Sequence, residues 1–202
     1  MTAPDASISI WLTGLVGKVP AFDDVMSLFV NDTFFFLLSI LFLVGVWFGV
    51  RKLSRREANQ RAVLCAATGA GFASLVVWVM NHAFHLDLWP RPCEAFESAR
   101  HAAQTLFYCP TDPSFPSHGA AVAFALAFGV WFTNRKAGAV LFAFAFLWSF
   151  ARVYCGAHYP LDIVGGAAIG FLVSYGVYKA FWPAIEPVLA FVFRLMRRLY
   201  LG

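Results

Sequence analysis

The segment Ala151–Asp162 places a cation, an imidazole and a carboxylate between two long apolar runs. Ionisable groups at the edge of a membrane segment are costly and usually functional. Pro160 is well suited to the first position of a helix, and residues four apart lie on one helical face, so His158 and Asp162 should meet near the start of that helix. The Asp162 carboxylate can then accept a proton from one ring nitrogen of His158. The other ring nitrogen keeps its lone pair and becomes a nucleophile.

Arginines and a helix start add donors for an anion. Arg152 ends the preceding apolar run and offers a planar fork that suits an oxyanion, and Arg91 lies in a Trp-Pro-Arg-Pro run. A helix that begins at Ser117 and continues through Gly119 would present free backbone N–H groups to a phosphate. His118 can protonate a leaving oxygen. Each feature alone also fits a helix end anchored at an interface, but together they predict a phosphate site with a histidine nucleophile.

The composition places these residues in a membrane protein. Of 202 residues, 60% are hydrophobic and 13% are charged, whereas soluble domains carry about 25% charged residues. A net charge of +4 could indicate a nucleic-acid partner. However, the basic residues cluster between alternate apolar runs and near the C-terminus, as in the positive-inside pattern. We therefore expect a lipid bilayer and no nucleic acid as partner. The five histidines and most carboxylates fall on the opposite, outer side, where we expect the chemistry.

The apolar runs predict an all-α, polytopic membrane bundle of five or six transmembrane helices, forming a single domain over residues 1–202. Five runs have about the length that a bilayer requires: 33–50, 62–80, 117–133, 137–153 and 159–182. Residues 81–116 would form an outer loop that carries the active site, with a short amphipathic helix over Glu94–Phe107. Residues 1–32 indicate one or two interfacial helices rather than a signal peptide, and 184–200 an inner interfacial helix rather than a sixth span.

Two of the four cysteines, Cys93 and Cys109, lie in the outer loop, where oxidation is permitted. Pairing cannot be deduced from sequence alone, so a disulfide and two free thiols both stay open at this point. Cys65 lies within an apolar run and is typical of a core residue.

The three polar stretches resemble the signature motifs of the type 2 phosphatidic acid phosphatase family, which also includes vanadium haloperoxidases. The third motif of that family reads Ser-Arg, five residues, His, three residues, Asp. Arg152, His158 and Asp162 match it in type and spacing, and Ala151 replaces the serine. The second motif reads Pro-Ser-Gly-His, whereas this chain has Pro116-Ser117-His118-Gly119, with the last two residues exchanged.

The first motif of that family reads Lys, six residues, Arg-Pro. Arg91 and the proline after it match, but Phe84 stands at the lysine position. His82 and His85 are the nearest candidates to replace the missing cation. Since one residue along a helix is a rotation of about 100°, His118 cannot simply take the usual place of the family's histidine. Either the preceding loop is reshaped or a different group protonates the leaving oxygen.

The resemblance, strongest over residues 81–166, implies a lipid phosphate or diphosphate phosphatase that works through a phosphohistidine, with no metal or cofactor. His158 would be the nucleophile, Asp162 its electrostatic partner and His118 the acid. Two arginines and the amides near Ser117 and Gly119 would hold the oxygens. The small size and the segment Pro20–Met26 are similar to the bacitracin-resistance-type undecaprenyl diphosphate phosphatases. That similarity implies cleavage of undecaprenyl diphosphate at the outer face of the bacterial inner membrane, a step of peptidoglycan synthesis.

Other functions stay open. The substrate could be phosphatidate, phosphatidylglycerophosphate or a lipid A phosphate, and the phosphate could be transferred to another acceptor. The His82-x-x-His85-x-Asp87 pattern also fits a membrane protein that binds a metal ion or haem. The altered first and second motifs fit a catalytically inactive relative that acts as a scaffold. The sequence does not predict an oligomeric state.

Overall fold

The computed structural model describes residues 3–83 and 88–198, and the regular elements in these two ranges are all helices. The predicted all-α class is therefore confirmed. A π-helical turn, Val177–Phe181, joins the last two α-helices. In chain order the α-helices are α1 Ala3–Thr13, α2 Pro20–Val30, α3 Asp32–Phe48, α4 Leu53–Ala83, α5 Pro92–Ala95, α6 Glu97–Leu106, α7 His118–Trp131, α8 Arg135–Tyr154, α9 Pro160–Gly176 and α10 Trp182–Arg198.

Length and apolarity qualify three stretches of the described chain to cross a membrane: Leu53–Ala83, Arg135–Tyr154 and Pro160–Ala180. Helices α2 and α3 meet at 68° and would make a fourth span if the bent pair crosses as one. Helix α7, where the sequence predicts a span over 117–133, is apolar but has only 14 residues. The predicted count of five or six spans is therefore not confirmed. Hydropathy alone does not give the bend before α3 or the early end of α7, because both depend on the neighbouring helices.

Two stretches differ from the expected secondary structure. Helix α4 begins at Leu53 and takes in most of the basic segment 51–61, which the predicted spans 33–50 and 62–80 leave between them as a loop. Four of its eleven residues are arginine, and most of the others, such as Leu53, Glu57 and Ala58, also favour helix. Its Arg61 forms an ion pair with Glu186 of α10. In the outer segment, the single helix expected over 94–107 is two helices, because Phe96 is extended (φ −127°, ψ 138°) and precedes α6.

Helix α7 is the central helix, with α4, α8 and α9 around it. The contacts depend on small residues, which let helix backbones approach closely in membranes. A Cβ atom added at Gly129 would lie 2.5 Å from the Cα of Ala66 in α4. One added at Gly166 of α9 would lie 2.5 Å from the carbonyl oxygen of Ser117. This packing brings the first turn of α7 against the first turn of α9.

The N-terminal helices pack against the helices that carry the motifs. The Asp5 carboxylate of α1 accepts a hydrogen bond from the backbone N–H of Leu161 (3.0 Å), an otherwise unsatisfied donor in the first turn of α9. The Tyr154 hydroxyl at the end of α8 donates to the Asp23 carboxylate of α2 (2.6 Å). Residues 1–32, expected as interfacial helices, therefore also support the ends of α8 and α9.

A disulfide joins Cys93 of α5 to Cys109, with their Cα atoms 5.9 Å apart. The sequence left open a disulfide or two free thiols at these positions, and the structure contains the disulfide. It ties the start of the outer segment, just after Arg91, to the chain that follows α6. Cys65 and Cys155 are free thiols and buried.

Candidate active site

His158 lies in the short turn between α8 and α9 and is 6% exposed. The turn requires Gly156, which has φ +78° and whose added Cβ would lie 2.8 Å from Ala99. The Nδ1 atom of His158 lies 3.1 Å from the carbonyl oxygen of Ser114, an acceptor only, so Nδ1 carries the proton. The Nε2 atom then keeps its lone pair, 3.3 Å from the Ser117 hydroxyl. The ring is fixed in the tautomer that a nucleophile needs.

Asp162 stands behind this ring, with its Oδ2 atom 3.5 Å from Nδ1 of His158. The side chain is fully buried. Its oxygens accept from the Ser114 hydroxyl (2.6 Å), the backbone N–H of Tyr159 (2.8 Å) and the Trp89 indole N–H (3.2 Å). The expected pair of His158 and Asp162 is present, but the nearer acceptor for the histidine proton is the Ser114 carbonyl. Asp162 is placed to stabilise a positive charge on the ring.

Burial lowers the pKa of His158 below its ordinary value. The hydrogen bond and the charge of Asp162 act in the opposite direction, and the positive charges of Arg91 and Arg152 add to the lowering. Because burial is the largest of these effects, the imidazole is neutral at neutral pH. A neutral ring with its proton on Nδ1 is the form that can attack phosphorus.

Arg91 is 2% exposed and holds three loop carbonyls. It donates to the backbone oxygens of Ala157 (2.7 Å), Asp112 (2.9 Å) and Pro113 (3.2 Å), and it forms an ion pair with the Asp112 carboxylate (3.0 Å). Its Nη1 atom also lies 3.4 Å from both ring nitrogens of His158. Arg91 thus joins the outer segment to the His158 turn and brings positive charge beside the His158 ring.

Arg152, near the end of α8, is held differently. It is 5% exposed, and its guanidinium carbon lies 4.3 Å from the centre of the Phe107 ring and 4.9 Å from that of Trp148. Its Nη2 atom forms an ion pair with Asp32 of α3. Its Nε atom is buried and has no hydrogen-bond partner among the described residues. This arginine therefore has a donor left for an anion.

Ser117 is the N-cap of α7, and its hydroxyl accepts from the N–H of Ala120 (3.4 Å). The sequence predicts free N–H groups from Ser117 to Gly119, but the Ser117 N–H donates to the carbonyl oxygen of Asp162 (3.1 Å). That prediction is wrong for Ser117, because α7 and α9 begin side by side. The next two N–H groups lie in the first turn of α7, where no intrahelical acceptor exists. They remain the backbone donors that the helix start can offer to an anion.

The exchanged residues at 118 and 119 have a structural reason. A Cβ atom at Gly119 would lie 2.2 Å from Cη2 of Trp148, so the indole of α8 fills the space that a side chain at 119 would need. The histidine stands one residue earlier and is exposed. The Nε2 atom of His118 lies 2.8 Å from the Ser74 hydroxyl of α4. The His118 side chain therefore lies on the side of the α7 start that faces α4.

One cavity of about 280 Å³ brings most of these groups together. Its lining includes the carboxylates, arginines and histidines Asp32, Arg91, Asp112, His118, Arg152 and His158, and also Tyr108, Gly119 and Trp148. Of the two candidates for the missing lysine, His82 stacks on Trp78 of its own helix and does not line the cavity, and His85 lies outside the described residues. In the described part of the chain, no three His, Cys, Asp or Glu side chains are grouped closely enough to hold a metal ion.

Four residues of this site carry no motif signal: Asp32, Ser74, Ser114 and Trp148. They come from separate helices and from the loop before α7, so only the packing assembles them. Asp32 had a weak signal, since a carboxylate at the head of an apolar run is costly unless it is paired. Ser114 begins the polar stretch that leads to Ser117, but the sequence assigns it no role of its own. For Ser74 and Trp148, which lie within apolar runs, the sequence alone gives no reason to select them.

The geometry suits the transfer of a phosphoryl group to an imidazole at the end of an apolar helical bundle, which is the class of membrane phosphatases. The comparison with protein families agrees with this class. Residues 62–186 match the model of the PAP2 superfamily, so the chain belongs to that superfamily. It is a membrane protein and a lipid phosphatase, as the sequence motifs predict.

Curated relatives have related names. Undecaprenyl-diphosphatase BcrC of Bacillus subtilis (strain 168) is 28% identical over 155 residues, which cover 77% of this chain and 73% of that protein. Bacitracin transport permease protein BcrC of Bacillus licheniformis is 26% identical over 167 residues, or 82% and 76% of the two chains. YbjG of Escherichia coli (strain K12), provisionally named an undecaprenyl-diphosphatase, is 34% identical over 120 residues, or 57% and 54%. No solved structure matches the chain significantly.

Proposed function

We propose that this protein hydrolyses undecaprenyl diphosphate to undecaprenyl phosphate and inorganic phosphate through a phosphohistidine at His158. The observation that carries the proposal is the state of that side chain: buried, with its proton on Nδ1 and its Nε2 lone pair beside a cavity lined by two arginines. Nε2 forms a bond to the terminal phosphorus while the bond from phosphorus to the bridging oxygen breaks. The lipid phosphate leaves with that oxygen.

The surrounding groups take the charge that develops in this step. Asp162 stabilises the imidazolium, since its oxygen lies 3.5 Å from Nδ1. Arg152 and Arg91, together with the N–H groups at the start of α7, bind the equatorial oxygens of the transferring phosphoryl group. Most of these donors are held in buried positions before the substrate arrives, so little reorganisation is needed in the transition state.

His118, which also lines the cavity, protonates the leaving oxygen. A water molecule then attacks the phosphohistidine, the P–N bond breaks, and inorganic phosphate is released with His158 neutral again. The exchange of residues 118 and 119 moves the acid but leaves it on the cavity. The unusual second motif is therefore compatible with turnover.

Names of relatives support the choice of substrate: two of the three refer to undecaprenyl diphosphate. The third refers to bacitracin transport, and the buried, polarised His158 favours a hydrolase for this chain. The positive-inside pattern and the Cys93–Cys109 disulfide favour an active site on the outer face of the bacterial inner membrane. Phosphatidate, phosphatidylglycerophosphate and lipid A phosphates are the competing substrates.

The test is phosphate release from undecaprenyl diphosphate by the purified protein in detergent with excess chelator. We expect release by the wild type and its loss, by about 10³-fold or more, in His158→Ala, since a nucleophile has no substitute. His101→Ala is the matched control, because His101 is exposed on α6 and does not line the cavity. Full activity of His158→Ala would refute the mechanism. A higher kcat/KM on a glycerolipid phosphate would refute the substrate.

A further inference from the structure

Asp32 lies outside the region that matches the superfamily, residues 62–186. It is the first residue of α3, where the chain turns by 68° after α2. Asn31 caps this start by accepting from the N–H of Phe34 (3.2 Å). The turn brings the Asp32 carboxylate to the cavity, which it lines with 42% of its side chain exposed.

The Asp32 carboxylate contacts two cavity residues of α8. One of its oxygens accepts from Nη2 of Arg152 and also from the indole N–H of Trp148 (3.2 Å). The Phe107 and Trp148 rings lie against the guanidinium, at 4.3 Å and 4.9 Å, and restrict its plane. The carboxylate fixes the rotation of the guanidinium within that plane. Three groups from separate parts of the chain therefore fix the orientation of Arg152.

This orientation leaves the Nε–H of Arg152 buried and without an acceptor among the described residues. A buried donor without a partner is costly, and Arg152 lines the cavity. An oxygen of a phosphate in the cavity would supply the missing acceptor. Without Asp32, the side chain could turn and lose this arrangement.

The other arginine of the site does not depend on a carboxylate in the same way. Arg91 is held by three backbone carbonyl oxygens as well as by Asp112, whose side chain is 61% exposed. Among the described residues, Asp32 supplies the acceptor that holds the Arg152 guanidinium. The loss of the two carboxylates should therefore have unequal effects.

We propose that Asp32 is a positioning residue that orients Arg152 for the phosphate, so that the segment before the superfamily region completes the anion site. This inference rests on the proposed function for its substrate, but it concerns the anion site itself. It can be tested with orthovanadate, which imitates a phosphoryl group in transfer and requires no lipid.

The experiment compares Asp32→Ala, Asp32→Asn and the control Asp24→Ala in the full-length protein in detergent. Asp24 is exposed on the neighbouring helix α2, so its removal takes one carboxylate from the same region without touching Arg152. We expect Asp32→Ala to weaken orthovanadate binding and to lower kcat/KM by about 10- to 100-fold, as loss of a group that orients a ligating side chain does. Asp32→Asn keeps an acceptor and should lose less, and Asp24→Ala should match the wild type.

A double-mutant cycle separates positioning from a structural role. If Asp32 acts through Arg152, adding Asp32→Ala to Arg152→Lys should change vanadate affinity less than twofold, because the two effects are coupled. Three results would overturn the inference: additive losses in the cycle, unchanged vanadate binding by Asp32→Ala, or tighter vanadate binding by Asp32→Ala. Tighter binding would show that the Asp32 carboxylate competes with the anion for Arg152. Asp32→Asn replaces Asp32→Ala in the cycle if the latter does not fold. Lack of lipid hydrolysis by the wild type would refute only the proposed function, whereas lack of vanadate binding by the wild type would also overturn this inference.

Discussion

The buried side and the exposed side of the site are built differently. On the buried side are His158, Asp162 and Ser117: the His158 ring lies 3.3 Å from the Ser117 hydroxyl, and the Ser117 N–H donates to the carbonyl oxygen of Asp162. On the exposed side, Asp32 and His118 are partly or largely exposed and come from the starts of α3 and α7. His158 is therefore fixed before substrate binds, whereas the exposed imidazole of His118 can adjust to a leaving group. The comparison predicts that changes on the first side cost more than changes on the second.

The largest effect among the following changes should come from Asp162→Asn. The carboxylate accepts three hydrogen bonds and faces the ring that becomes positive, and an amide cannot accept all three or supply the charge. We expect kcat to fall by about 10²- to 10⁴-fold, as in other sites that lose the carboxylate behind a catalytic histidine. Steady-state kinetics measure the loss. A kcat within threefold of the wild type would show that changes on the buried side do not cost more activity than changes on the exposed side.

A smaller effect is expected for His118→Ala, and it should depend on the leaving group. If His118 donates the proton, a lipid monophosphate, whose leaving group is an alkoxide, should lose about 10²-fold in kcat. With undecaprenyl diphosphate the leaving group is a lipid phosphate, which needs this proton less. The loss in kcat on that substrate should therefore be below about tenfold. Parallel assays on the two lipids measure the difference. Equal losses would argue that His118 is not the acid.

The packing of Trp148 of α8 against Gly119 of α7 can be tested with a glycine pair. Gly119→Ala places a Cβ 2.2 Å from the Trp148 ring, so we expect it to destabilise the protein by about 1–3 kcal/mol through overpacking. Gly71→Ala is the matched control, since a Cβ there has no heavy atom within 4 Å and alanine favours helix. Unfolding midpoints in detergent give the difference. Equal midpoints would mean that the indole moves aside freely.

The smallest expected effect is the position of the acid limb in the pH dependence of kcat/KM. In the proposed mechanism His158 attacks in its neutral form, and burial lowers its pKa below the ordinary value. The activity is therefore fully present where the ring is neutral and is lost as the pH falls through the lowered pKa. The acid limb of kcat/KM should lie below pH 6.5, the ordinary value for histidine. A limb above that pH would indicate that the charge of Asp162 outweighs burial.

The buried side of the site was largely predictable. The spacing of Arg152, His158 and Asp162 predicts that they lie in one site, as they do in the structure. The helix starts at Ser117 and Pro160 follow from local capping rules. These features are local in sequence, so short-range patterns encode them.

The exposed side was not predictable. The placement of Asp32 requires the turn before α3, and the pairing of His118 with Ser74 requires the contact of α7 with α4. The bond between the Ser117 N–H and the Asp162 carbonyl likewise requires α7 and α9 to begin side by side. The predicted number of spans is not confirmed for the same reason, since helix ends and bends depend on partners far along the chain.

The indole of Trp148 against Gly119 also bears on how such a sequence can change with time. A lineage with this tryptophan cannot regain the superfamily's usual glycine–histidine order by changing residues 118 and 119 alone, because the new side chain would meet the ring. It would first need a smaller residue at 148, and that step would also remove the indole that supports Arg152. The rearranged motif is therefore held in place by a residue 29 positions away, and homologues with the usual order are expected to carry a smaller side chain there.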